Sequence, residues 1–278
     1  MSRIAVLITC HNRKDQTIAC LDRLSSQVLP QDIALSVYLV DDGCTDGTAE
    51  TVREKYPAVT ILKGNGSLFW CNGMRLAWRQ AAQSDPDFYL WLNDDTLMRS
   101  DCLSALIETW NESCGLGANS CIVVGSCCDP ITGEFSYGGQ MLRGHHPGRL
   151  NRVLPDTVSV KQCDTFNGNC VLVARSAFRA VGIMRQFKHA MSDIDYGLLA
   201  KRAGVQVILA PGYVAECEGN PELQYLNCRS LLRRERWRLL LSRKGLPPGD
   251  WWKFLWAHVG LRAFLYWPVP YLRVIIGL

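Results

Sequence analysis

Within its first hundred residues the chain repeats one pattern: a short apolar run, a turn rich in Asp, Asn or Gly, then apolar side chains at helical spacing. Ile4 to Thr9 is such a run, and Ile18, Leu21, Leu24 and Val28 after it fall on one helical face. Leu35 to Val40 and Val59 to Leu62 repeat the run, with a helix toward Lys55 between them. A further helix is expected from roughly Asn72 to Gln83, ahead of a fourth run, Phe88 to Leu92. Strands alternating with helices build a mostly parallel sheet flanked by helices, because parallel neighbours need a long crossover connection. Such sheets bind ligands beyond the carboxyl ends of their strands. The polar clusters that follow the apolar runs are therefore where chemistry is sought.

Three clusters occupy those positions. Asn93-Asp94-Asp95-Thr96 follows the fourth run, which holds carboxylates at the rim of a buried strand. A divalent ion such as Mg2+ or Mn2+ takes hard oxygen ligands from one or two carboxylates and completes its shell with substrate phosphate oxygens. The same residues can instead cap the next helix. Asp41-Asp42 ends the second run, where carboxylates can accept hydrogen bonds from a nucleobase imide or from ribose hydroxyls, or simply form a turn. Gly64-Asn65-Gly66-Ser67, leading into Leu68-Phe69-Trp70-Cys71-Asn72, has the backbone freedom to close over a ligand. Its spacing and place in the chain do not fit a dinucleotide-binding fingerprint. Trp70 suits stacking on a sugar or filling the core.

From 113 to 164 the pattern turns to short strand-like pieces with Gly, Pro and His turns, including Tyr137-Gly138-Gly139-Gln140 and His145-His146-Pro147-Gly148, an expected acceptor side. Regular elements return with Asn169 to Ala174, a helix from Ser176, another over Asp193 to Ala203 and a strand over Val205 to Ala210. Asn167 and Asn169 flank Gly168 and could bind sugar hydroxyls or form a turn, and His189 could hold acceptor or phosphate.

Taken together, Ile8-Thr9-Cys10-His11-Asn12-Arg13, Leu39 to Thr48, Leu92 to Thr96 and Ser192-Asp193-Ile194-Asp195-Tyr196-Gly197 resemble, in order and spacing, inverting glycosyltransferases of the large family two. The likeness is to the bacterial polysaccharide, rhamnosyltransferase-like members and spans about residues 4 to 220. It implies the GT-A fold, an α/β architecture. It also implies a nucleotide-diphosphate sugar donor of the uridine or thymidine type, Mg2+ or Mn2+, and transfer to a glycan or lipid-linked acceptor in cell-surface polysaccharide or glycolipid assembly. On this resemblance Thr9, His11, Asn12, Arg13, Asp41, Asp42, Gly66, Asn72 and Asp94 bind donor, and Asp95 ligates the metal. Asp193 is the general base, with Asp195 the alternative for that role or for a helix-capping one, and the residues themselves offer Trp70, Asn167, Asn169, His189 and Asp195 as sugar or acceptor contacts. At a helix N-terminus Asp193 is expected to be readily ionised. The chain departs from the family twice: Ser192 stands where many relatives have Glu, and 215–220 lacks the late His that serves others as a metal ligand. Glu216 and Glu218 are the local substitutes on offer.

The remaining features bound the partners. Thirty Lys and Arg against 26 Asp and Glu leave a charge of +4, too small for a nucleic-acid surface. Thirteen scattered cysteines, with no signal peptide ahead of the first strand, fit a reducing cytoplasm and small core residues better than a disulfide framework. The division expected is a catalytic domain over 1–222, with a donor half 1–112 and an acceptor half 113–222, then a basic, aromatic helical extension over 223–278. In that extension Arg229, Arg233, Arg234, Arg236, Arg238, Arg243 and Lys244 precede Trp251-Trp252 and Tyr266-Trp267. No apolar run reaches the ~20 residues that span a bilayer, so the tail reads as a peripheral contact with the inner face of the cytoplasmic membrane. Packing on the catalytic domain, or on a second copy in a homo-oligomer, is the alternative. Two other functions compete: a sugar nucleotidyltransferase, whose Gly-rich phosphate loop is absent from Thr9 to Arg13, and a catalytically silent sugar-binding scaffold.

Overall fold

A computed structural model describes residues 2–29, 32–115, 120–188, 190–219 and 231–277. The chain opens with β1 (Ser2–Cys10), α1 (Lys14–Ser25), β2 (Ile33–Asp41), α2 (Thr48–Lys55), β3 (Thr60–Lys63), α3 (Phe69–Ala81) and β4 (Phe88–Leu92). Next come β5 (Leu97–Met98), α4 (Cys102–Gly115), β6 (Cys121–Cys128), β7 (Phe135–Tyr137), β8 (Gly139–Leu142) and β9 (Leu150–Arg152). They are followed by β10 (Lys161–Cys163), β11 (Thr165–Phe166), β12 (Cys170–Ala174), α5 (Arg175–Val181), α6 (Ser192–Arg202) and β13 (Gln206–Glu216). Four helices end the described chain: α7 (Arg233–Leu241), α8 (Pro248–Val259), α9 (Ala263–Tyr266) and α10 (Val269–Ile276).

The main sheet runs β10-β13-β6-β12-β4-β1-β2-β3, with β5 on β13 and β7 on β6. Along that path β12 and β10 run against the other strands, so the sheet is mostly parallel. The central strands are buried on both faces, which is why β1 and β4 read as unbroken apolar runs. Their alternating side chains divide the core in two. Ala5, Leu7, Tyr89 and Trp91 pack with α3, α5 and α6, whereas Ile4, Val6, Ile8 and Leu90 pack with α1, α2 and α4.

Trp78 of α3 centres the first layer, with the rings of Tyr89, Trp91, Phe178 and Tyr196 at 5.2–5.5 Å. Aromatic pairs of this kind add about 0.5–1.5 kcal/mol each beyond the area they bury, and here they tie α3, β4, α5 and α6 together. Gly73 lets α3 lie directly on β1, since a Cβ there would stand 2.1 Å from Thr9 Oγ1.

The C-terminal helices join this same layer through Leu240, Trp251, Phe254, Leu255, Tyr271 and Val274. The extension thus packs on the catalytic core, the alternative weighed for it above. Its outer side stays apolar, with Leu261, Phe264, Leu265, Ile275 and Ile276 between 47% and 76% exposed. No described helix is long and apolar enough to cross a membrane.

Three boundaries differ from the sequence reading. The first helix stops at Ser25, so Val28 leaves its buried face and is 66% exposed. The third helix begins at Phe69, where Asp42 Oδ2 accepts a hydrogen bond from the Phe69 N–H at 2.9 Å. The last strand continues to Glu216, because it pairs in turn with β6 and β5.

Candidate active site

β1 pairs in parallel with both β2 and β4, so their carboxyl ends lie side by side. β12 runs the opposite way, with Cys170 opposite Leu92, and the turn before it reaches the same edge. Thr9, His11 and Arg13, then Asp42, then Asn93 to Asp95, then Asn167 to Asn169 therefore share one rim, and α6 closes it with Asp193. All of them line a single cavity of about 990 Å³.

The acid pair sits at its floor. Arg13 Nη1 lies 2.5 Å from Asp95 Oδ2 and 3.3 Å from Asp94 Oδ1, bridging both carboxylates. Asp94 is buried, and its Oδ2 has no hydrogen-bond partner among the described residues. Burial, and then the neighbouring Asp95 charge, push Asp94 up to about 7 against the pull of Arg13. Two adjacent carboxylates with an unsatisfied oxygen fit a hard divalent ion that draws the rest of its shell from substrate phosphates. Among the described residues no group of three His, Cys, Asp or Glu forms a closed cage. Just after the last strand, Cys217 Sγ stands 3.7 Å from Asp95 Oδ1. Burial and the Asp95 charge push that thiol up to about 12, so it is a neutral neighbour at physiological pH. Glu216 and Glu218 do not line the cavity.

Asp193 is oriented by backbone donors: Ile194 N–H reaches Oδ1 at 2.8 Å and Gly168 N–H reaches Oδ2 at 3.1 Å. Part of its surface opens to the cavity, yet it lies deep within the protein, and burial raises its pKa despite these donors. The direction is opposite to the lowering that a helix N-terminus alone would cause. Desolvation outweighs the helix terminus, and the result is a more basic carboxylate.

Asp42 has a second task. Its Oδ1 and Oδ2 accept from Gly66 N–H at 2.8 Å and Phe69 N–H at 2.9 Å, so it braces the Gly-rich loop while facing the cavity. Asp41 accepts from Cys44 N–H at 2.7 Å, Asn12 Oδ1 accepts from Thr45 N–H at 2.7 Å, and Asn72 donates to the Phe187 carbonyl. Asp41, Asn12, Gly66 and Asn72 stand behind the cavity wall rather than on it. His11 Nδ1 lies 2.6 Å from the Asp42 carbonyl, which can only accept, so Nδ1 is the donor.

Trp70 Nε1–H donates to Asn93 Oδ1 at 2.6 Å, and Gly168 leaves room for its ring. Asn167 accepts from Gln140 at 2.8 Å, and Asn169 is held against Cys217. Asp195 is the clear misplacement. It has no exposed surface, and its carboxylate is committed to Arg185 and to His258 Nε2, so it anchors α6 to α8 and touches no acceptor. His189 lies outside the described residues.

Backbone strain gathers here as well. Four described non-glycine residues have positive φ, and three of them, Asn12 (49°), Phe69 (53°) and Met191 (71°), flank the cavity. Conformations of this kind cost about 1–3 kcal/mol and persist where surrounding contacts impose them.

Sequence reasoning missed the far wall. Arg149, Arg236, Lys244, Trp251, Tyr266 and Arg273 also line the cavity, and Arg243 lies over the Phe69 ring at 4.0 Å. The signal was present in the basic, aromatic tail, but which of its faces turns inward depends on packing.

The mostly parallel sheet with its flanking helices is the GT-A fold of nucleotide-sugar glycosyltransferases. The chain belongs to glycosyl transferase family 2, whose profile matches residues 5–153. It is 26% identical over 213 residues, 68% of either chain, to the N-acetylglucosaminyl-diphospho-decaprenol L-rhamnosyltransferase of Mycobacterium tuberculosis. Its fold is similar to Pyrobaculum calidifontis mannosyltransferase PcManGT in complex with GDP-Man and Mn2+. That match has a TM-score of 0.58 at 18% identity and covers 99% of this chain and 73% of that one. It is also similar to residues 1–349 of S. aureus TarS, with a TM-score of 0.54 at 13% identity, covering 98% and 73%.

Proposed function

We propose that the protein transfers a sugar, with inversion, from a uridine or thymidine diphosphate donor to a hydroxyl of a glycan or lipid-linked acceptor in cell-surface assembly. The carrying observation is that the oriented Asp193 carboxylate and the Asp94–Asp95 pair face one cavity. Asp193 takes the acceptor hydroxyl proton as that oxygen bonds to the anomeric carbon, and the carbon–oxygen bond to the diphosphate breaks with its electron pair on the leaving group. Asp95, with Asp94, would hold a divalent ion, which when bound supplies positive charge against the departing diphosphate. Trp70, Asn167 and Asn169, which line the same cavity, bound the sugar in this reading, and Asp42 keeps the loop closed through Gly66 and Phe69. The exposed apolar side of α9 and α10, with Arg262 nearby, suits a peripheral contact with an anionic membrane.

Thermal stabilisation by a panel of nucleotide sugars, with and without Mn2+, tests the donor site, since a ligand that binds only the folded state must raise stability. The anomeric configuration of the product, read by NMR, tests inversion. A retained configuration would remove Asp193 as base.

A further inference from the structure

We propose that helix α8 of the C-terminal extension is a positioning element for the reacting carboxylate, with His258 acting on Asp193 from behind, through Asp195. This deepens the function proposed above and rests on it for the role of Asp193 as base.

Asp193 and Asp195 stand two residues apart in the first turn of α6. Side chains so spaced leave a helix on different sides, and here one faces the cavity while the other meets Arg185 and α8. The turn is therefore held from two directions. On the cavity side Gly168 N–H donates to Asp193. On the inner side both oxygens of Asp195 accept from Arg185, ten residues earlier in the chain, and Oδ1 also accepts from His258 Nε2 at 2.8 Å.

The Arg185 pair already balances the buried charge. What the histidine bond adds is a link from this turn to a helix 63 residues away. The side chain of His258 is 4% exposed and that of Asp195 0%, so water has little access to the bond and weakens it little.

The approach to the turn is held by the same helix. Asp250 accepts from Lys188 N–H at 2.8 Å, and Lys253 Nζ donates to the Gln186 carbonyl at 2.5 Å while lying over the Phe187 ring. At the far end of α6, Arg202 donates to the Ala257 carbonyl at 2.7 Å. Helix α8 thus grips the segment before α6, its first turn and its last. Met191, immediately ahead of α6, has a φ of 71°, which a non-glycine residue keeps only where surrounding contacts impose it. These bonds from α8 are such contacts. A base that must meet a hydroxyl proton within hydrogen-bond reach loses rate steeply when displaced, so the grip bears on turnover.

Variants of the full chain test this. His258→Phe keeps a ring against Phe254 and removes the donor, whereas His258→Gln keeps a donor of similar reach. One readout is amide hydrogen exchange at Gly168 and Ile194, whose N–H groups hold Asp193. The other is turnover of the nucleotide sugar that stabilises the chain most in the panel above, followed as nucleoside diphosphate released with water as acceptor. His258→Phe should speed exchange at both amides and lower kcat by about 10- to 100-fold, with donor KM and UDP affinity within about twofold. His258→Gln should recover most of both losses. Lys253→Met, at a partly exposed position, should lower kcat several-fold at an unchanged thermal transition, which keeps the test decisive if His258→Phe folds poorly. Unchanged exchange and kcat in both His258→Phe and Lys253→Met would overturn the proposal. So would a Gln variant as impaired as the Phe variant, or a loss of UDP affinity as large as the loss of kcat. Faster exchange at both amides with unchanged kcat would support the positioning by His258 and count against Asp193 as base.

Discussion

The two walls of the cavity are held in different ways. On the strand-end wall the polar side chains are locked by backbone: Asp42 by two N–H donors, Asp193 by two more, and His11 by a carbonyl. Strained residues at Asn12, Phe69 and Met191 hold their turns in place. On the C-terminal wall, helices are anchored by apolar contacts at Leu240, Trp251 and Val274, while Arg149, Lys244 and Arg273 extend from exposed positions. The contrast teaches that bond making needs a degree of order that the rest of a cavity does not. A reacting carboxylate must sit within a fraction of an ångström, whereas long exposed side chains can adjust.

Five experiments break or sharpen this contrast. Asp193→Asn, on the rigid wall, should lower kcat by about 10²–10⁴-fold, the usual worth of a general base, while nucleotide binding measured by calorimetry changes little. Near-normal turnover would place the base elsewhere. Only the ionised carboxylate can accept the proton, so activity falls as pH drops through the raised pKa of Asp193. The acid limb of the kcat profile should then lie above the ordinary aspartate value of about 3.9. A limb at or below that value would contradict the desolvation argument.

Asp195→Asn tests how the walls are joined, since Asp195 links α6 to His258 of α8. Leaving Arg185 and His258 without their carboxylate should cost about 3–5 kcal/mol, read as a lower denaturation midpoint. An unchanged midpoint would mean that the walls are independent. Gly73→Ala, which drives a Cβ into Thr9, should destabilise by about 1–3 kcal/mol and loosen donor binding from behind the rim. Smallest is the outer surface. Leu265→Gln with Ile276→Gln should reduce flotation with anionic vesicles several-fold at unchanged stability, about 1 kcal/mol of lost apolar contact. Equal flotation would confine the role of the extension to the cavity. Deleting the extension is a poor substitute, because Trp251, Phe254 and Tyr271 belong to the shared core.

Much of the strand-end wall was legible in the sequence. Asp41-Asp42 and Asn93-Asp94-Asp95 follow apolar runs, and chain order alone carries such residues to the strand ends of a parallel sheet. The placement of Asp193 opposite them was expected from the family resemblance. Less legible was what each carboxylate does when it arrives. Asp195 lies two residues from Asp193 and carries the same group, yet one faces the cavity and the other is sealed against Arg185. Only neighbours supplied by α8 and by the segment before α6 separate them.

The sequence by itself determined the alternation of strands and helices and the residues at the rim, because these depend on local period and chain order, and its family resemblance carried the class of reaction. Tertiary structure alone decided that Asp42 braces a loop, that burial makes Asp193 more basic, and that Arg149 and Arg273 face one cavity. Those outcomes depend on desolvation and on partners more than twenty residues away, which no local pattern encodes.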